Sequence, residues 1–159
     1  MRINKKVGLV LVSLLLLQIH PPSASASQLV VAQDYQGSYS RSTFKHWIDA
    51  NRNGKDTRAE VLIAESLVSV RFSSTGKTVS TGKWLSLYDG ETWTKASDVD
   101  VDHVVALAEA WRSGAWKWSA ARRQAYANDL GVAWTLRAVT DNVNQAKSDS
   151  DPTNWLEIS

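Results

Sequence analysis

Two features together restrict this chain more than any others: it opens like an exported protein, and it contains no cysteine. Arg2, Lys5 and Lys6 precede an apolar run over residues 7–17. Pro21-Pro22 then stops any helix, and Ala24-Ser25-Ala26 supplies small side chains for a cleavage site. That order predicts a secretory signal peptide cut after Ala26, because the run is too short to span a membrane comfortably. Small extracellular domains commonly lean on disulfides, and none can form here. The mature chain must therefore hold itself with an apolar core, helped by any metal it binds. With 159 residues before cleavage, one domain is expected over 44–159, behind a flexible, Ser-rich lead-in at 27–43.

Signal removal also changes the charge argument. The full chain carries +2, and losing three positives leaves the mature chain at −1. A uniformly basic nucleic-acid binder is not indicated, and phosphate attraction has to come from a local patch.

The apolar pattern predicts an α+β domain. Short helices are expected at 44–49 and from Val61 onward, and strands are expected between 68 and 88, with turns at 73–76 and 88–90. A strand should lead through Val99 and Val101 into Asp102-His103. Helices follow at 107–111 and at 120–130, the latter capped by Ser119 and stopped by Gly131. A strand over 134–139 and a short helix from Asp141 to Lys147 complete the pattern. Of the eight tryptophans, Trp111 and Trp134 are assigned to the core. Trp116 and Trp118, set among Arg112, Lys117, Arg122 and Arg123, suit either packing or base stacking.

Histidine is scarce, with only His46 and His103 left after cleavage. Asp98, Asp100 and Asp102 alternate along the predicted strand, and His103 follows directly. A neutral imidazole can deprotonate water near neutral pH. A carboxylate-held cation can neutralise phosphate oxygens and a leaving alkoxide. Adjacent strand residues face opposite sides, so Asp102 and His103 would have to divide this work. The pair alone is a weak signal.

The run from Asp100 to Trp111 resembles the first motif of secreted bacterial HNH endonuclease-family proteins, relatives of the C-terminal domain of GmrSD-type restriction enzymes. The stretches 127–130 and 138–147, followed by Asp151-Pro152 and Trp155, resemble the second motif. Residues 56–62, Gly82-Lys83-Trp84 and Tyr88-Asp89-Gly90 look like further family segments, so the resemblance covers about residues 39 to 156. It implies a ββα-metal, or His-Me finger, core. In that core His103 is the general base, Asp102 and Asn144 are ligands to one Mg²⁺ or Mn²⁺, and Lys147 contacts phosphate from the helix face of Asn144. It further implies a nucleic acid substrate, with DNA taken ahead of RNA, and no membrane partner once the signal is gone. Arg58, Arg122, Arg123 and Arg137 are candidate phosphate contacts. The pattern departs from the family at the residue that orients the base. No Asn or His stands near Thr135, which leaves Thr135, Asn128 or a backbone carbonyl for that role.

A second motif points elsewhere. Asp49, Asn51, Asn53, Gly54, Lys55 and Glu60 match EF-hand spacing, with the Lys55 carbonyl and a bidentate Glu60 completing a Ca²⁺ cage. Against it stands Asp56, where such loops carry an aliphatic residue. Related sequences continue past the Asp-Pro-x-x-Trp segment, so this chain reads as shortened at its C-terminus. The alternative reading is therefore a catalytically inert, secreted Ca²⁺-binding or cell-surface module.

Overall fold

A computed structural model describes residues 33–151 and Trp155. The signal segment, the beginning of the lead-in, Pro152 and the final residues lie outside it. The described chain is an α+β domain, as its pattern of alternating and helical periodicities implied.

Helix α1 (Thr57–Glu65) starts earlier than its apolar run suggested. Asp56 accepts a hydrogen bond from the Ala59 amide at 2.8 Å and so serves as N-cap, satisfying one of the first-turn donors. The helix buries Ala59, Val61 and Leu62. The expected helix at 44–49 does not form. A single 3-10 turn occupies Arg41–Thr43, and Trp47 sits at φ 55°, a left-handed conformation that no right-handed helix can pass through.

Three antiparallel strands follow in the order β1 (Arg71–Phe72), β2 (Val79–Leu85) and β3 (Thr92–Lys95). β3 was not anticipated; its side chains are mostly exposed, so it lacks an apolar alternation. Trp84, opposite Trp93, is 1% exposed and donates its indole N–H to the Leu62 carbonyl at 2.8 Å, tying the sheet to α1. Gly82 keeps that contact possible, because a Cβ there would lie 2.6 Å from the Trp84 ring.

A separate antiparallel pair joins β4 (Val99–His103) to β5 (Leu136–Thr140), with Asp102 opposite Arg137 and His103 opposite Leu136. Val99, Val101, Leu136 and Ala138 extend the core built on α1 and Trp84. Between these strands lie α2 (Leu107–Arg112) and α3 (Ala120–Ala127). Gly114, at φ 126°, makes the break after α2. Ser119 caps α3 through the Arg122 amide, as expected. The helix stops at Asn128 rather than Gly131, because Asn128 is committed to tertiary bonds. Its side chain accepts from Thr57 Oγ1 and the Ile48 amide and donates to the carbonyls of Lys45 and Gln124.

A second apolar cluster gathers Phe44, Leu107, Ala110, Ala115 and Ala127, with Trp111, Trp118 and Tyr126 against it. Trp111 packs there, but Trp134 is 66% exposed and lies under the Arg137 guanidinium instead of in the core. Trp116 stacks on Tyr35 at 4.3 Å. Helix α4 (Asp141–Lys147) follows β5 without a loop, and Thr140 serves as its N-cap position.

Candidate active site

Strand β4 delivers two carboxylates to one face and an imidazole to the other, as the two-residue repeat of a strand requires. Helix α4 lies along the carboxylate face. Asn144 donates its Nδ2–H to Asp100 Oδ2 at 3.0 Å, and Lys147 Nζ sits 3.0 Å from Asp102 Oδ2. Residues three apart on a helix thus meet residues two apart on a strand. The Tyr88 hydroxyl donates to the same Asp102 oxygen at 2.6 Å.

Asp102 and Lys147 are both buried. Burial pushes the Asp102 carboxyl above its ordinary value, while the Tyr88 bond and the Lys147 charge pull it back. Burial, then the Tyr88–Asp102 bond, pushes the Tyr88 phenol well up, so it remains a donor. The Lys147 contact is an ion pair, and Nζ has no well-aligned hydrogen-bond acceptor among the described residues. Such a pair resists disruption, because removing either member strands a buried charge.

His103 ends β4 and is 4% exposed. Its Nε2 lies 2.9 Å from the Ala127 carbonyl oxygen. A carbonyl only accepts, so Nε2 carries the proton and Nδ1 keeps the lone pair. The ring stacks on Trp47 at 5.6 Å and faces Tyr126 at 6.4 Å. Burial is the main cause that lowers its pKa to about 4, with the charges of Arg41, His46 and Lys147 adding to it. The imidazole is therefore neutral near neutral pH. Of the three orienting groups left open by the sequence, the Ala127 carbonyl is the one in contact. Thr135 pairs loosely with Asp129, and Asn128 is occupied elsewhere.

Asp102, His103 and Asn144 all line one cleft of about 460 Å³, together with Tyr39, Arg41, Gln145 and Asp149. Lys147 is not among the lining residues. Its Nζ faces Asp102 in the ion pair. The four arginines expected at phosphate do not line the cleft either. Arg58 donates to the carbonyls of Ala96 and Val99. Arg123 binds the carbonyls of Thr43, Ala115 and Trp118. Arg137 pairs with Glu65 at 3.3 Å, and Arg122 lies over the Trp118 ring. Basic residues in a sequence cannot reveal which carbonyls will claim them.

The loop at 49–60 is closed by its own bonds. Asp49 accepts from the amides of Asn53 and Gly54, Asn51 Oδ1 from the Asn53 amide, and Asn53 Oδ1 from the Lys55 amide. Glu60 Oε1 accepts from Asn53 Nδ2 at 2.7 Å. The side-chain oxygens expected to surround Ca²⁺ thus cap the loop's own N–H groups, an Asx-turn arrangement leading into α1. Among the described residues no group of three or more His, Cys, Asp or Glu side chains is placed to hold a metal. Beside Asp149, which Arg112 holds, and Gln145, the cleft offers the Asp102 carboxylate and the Asn144 amide. Because Asn144 gives its N–H to Asp100, its Oδ1 is left as the free donor atom. An all-oxygen set with few protein ligands suits a hard cation that keeps its waters, such as Mg²⁺ or Mn²⁺.

Sequence reasoning missed Tyr88 and Arg41, and it left open which backbone carbonyl could orient His103. Tyr88 read as a turn residue, Arg41 lay in the Ser-rich lead-in, and a backbone carbonyl leaves no trace in side-chain pattern. The alternation of Asp100 and Asp102 was the signal available for the Asn144 partner.

The family model described as "GmrSD restriction endonucleases, C-terminal domain" matches residues 40–154, a span that contains the cleft residues from Arg41 to Asp149. An uncharacterised secreted protein of Arthroderma benhamiae is 45% identical over 140 residues, covering 84% of this chain and 67% of the relative. The chain is, like that relative, secreted. No solved structure matches.

Proposed function

The chain belongs to the GmrSD restriction endonuclease C-terminal domain family, and on that premise we propose that it is a secreted, metal-dependent HNH-type endonuclease that hydrolyses nucleic acid phosphodiesters. The observation that carries this reading is the state of His103. It is a neutral imidazole at a cleft, with Nε2 tied to the Ala127 carbonyl and the Nδ1 lone pair left over. In the proposed reaction Nδ1 takes a proton from the attacking water as its oxygen bonds to phosphorus, the bond between phosphorus and the leaving oxygen breaks, and the leaving oxygen takes a proton from solvent. β4, β5 and α4 form the ββα core of this reading, with Asp102 and Asn144 as the oxygen ligands. A bound Mg²⁺ or Mn²⁺ supplies neutralisation of the phosphate oxygens and the leaving alkoxide. Tyr88 and Lys147 act through Asp102, holding its carboxylate charged and in one orientation. Asp100 acts through Asn144 by accepting its N–H. DNA is the substrate proposed ahead of RNA.

The test is cleavage of plasmid DNA and of RNA by the mature protein, with Mg²⁺ or Mn²⁺ and with EDTA, beside His103→Ala. Metal-dependent cutting that is lost in His103→Ala is the expected result. A folded wild-type protein that cuts neither substrate would refute the nuclease assignment, and cutting that survives in His103→Ala would refute the base.

A further inference from the structure

With Lys147 facing Asp102 in an ion pair, the cleft needs another group to hold the phosphate, and the described residues leave one cation for it. We propose that Arg41 is the phosphate-binding side chain of the cleft, an assignment that rests on reading this cleft as the phosphodiester site. Arg41 lines the cleft beside His103, Asp102 and Asn144.

The neighbouring charges are already matched. Lys147 faces Asp102 at 3.0 Å. Asp149, on the cleft wall, is held by Arg112 at 2.9 Å, and Arg112 also pairs with Glu109 at 2.8 Å. Among the described residues no carboxylate forms a salt bridge with Arg41. Arg41 is an exposed residue, so an incoming anion need not displace a buried partner. Tyr39 also lines the cleft; burial raises its phenol, and the Arg41 charge pulls against that shift.

The backbone under Arg41 is well anchored. Arg41 opens a 3-10 turn whose carbonyl accepts the Phe44 amide at 3.0 Å. Phe44 is fully buried in the second apolar cluster, and Arg123 grips the Thr43 carbonyl at 3.2 Å. A planar guanidinium on such a base can present two parallel N–H donors to two phosphate oxygens. That geometry favours phosphodiester oxygens, which are common to DNA and RNA, over base edges, so the contact should be insensitive to sequence.

Binding can be read apart from cutting. His103→Ala protein in EDTA is titrated with a fluorescently labelled short duplex DNA by anisotropy, across a range of salt. Adding Arg41→Met should weaken binding about tenfold and lower the slope of log affinity against log salt by about 0.9, the value of one phosphate contact. Arg41→Lys, which keeps the charge but not the fork, should recover the slope and only part of the affinity. Lys77→Met, in the exposed turn between β1 and β2, should leave both unchanged. Equal affinity and equal slope in Arg41→Met overturn the proposal, as does a His103→Ala protein that binds no DNA. Should wild type fail to cut while the Arg41 dependence of binding holds, the nuclease reading falls and the phosphate site stands.

Discussion

Replacing His103 by Gln tests the feature on which the functional reading turns, through stability rather than activity. Gln can still donate an N–H toward the Ala127 carbonyl but cannot titrate. The folded state lowers the His103 pKa from 6.5 to about 4, chiefly by burial. At about 1.36 kcal/mol per unit, that shift corresponds to about 3 kcal/mol favouring the neutral ring in the folded state. A lowered pKa means the unfolded chain binds the proton more tightly, so protonation favours unfolding. The stabilisation is complete above the unfolded value of 6.5 and drains away as pH falls through about 4. Urea unfolding followed by tryptophan fluorescence, in EDTA and at a series of pH values, measures it directly. Titrations common to both proteins cancel in the difference. The gap between wild type and His103→Gln should narrow by about 3 kcal/mol from neutral pH down to the folded pKa. A gap that stays constant would show that His103 is not held neutral by burial, and the argument for a free Nδ1 base would fail with it.

Further outcomes follow from individual contacts. Lys147→Met should cost about 3–5 kcal/mol by urea unfolding, because it leaves the buried Asp102 carboxylate without its ion-pair partner. Adding Asp102→Asn should return part of that loss, and a neutral Lys147→Met would contradict the buried pair. Asn128→Ala should cost about 2–3 kcal/mol, since it strands the Ile48 amide and the Lys45 and Gln124 carbonyls; thermal and urea midpoints check this. Trp84→Ala should destabilise by about 3–5 kcal/mol, whereas exposed Trp134→Ser should stay within about 0.5 kcal/mol. Equal effects of the two would mean that the burial of one of them is wrong.

Several local signals in the chain were sufficient on their own. The spacing of Val99, Val101 and the Asp100–Asp102 alternation specified a strand ending at His103. Ser119, the break at Ser113-Gly114 and the run from Asp141 to Lys147 specified α2, α3 and α4 to within a few residues. These are short-range effects, in which a cap, a glycine or a repeat acts within one or two turns of itself. Asp56 also acted locally as the cap of α1, although the apolar run beginning at Val61 drew attention past it. The family motifs likewise identified His103, Asp102 and Asn144 as residues of one neighbourhood, and the cleft does bring the three together.

Which groups touch inside that neighbourhood was decided by tertiary packing. His103 is oriented by the Ala127 carbonyl because α3 ends beside β4, and α3 ends there because Asn128 is bound to Lys45, Ile48 and Thr57 far along the chain. Lys147 meets Asp102 instead of solvent because α4 follows β5 directly and lies along the carboxylate face of β4. Trp134, apolar and flanked by strand residues, stays exposed because β5 begins only at Leu136. Arg41 reaches the cleft because Phe44, three residues later, is drawn into the core. A sequence records caps and repeats, which act between neighbours. It does not record which distant carbonyl, carboxylate or ring fills the remaining valences, and those partners set the chemistry of this site.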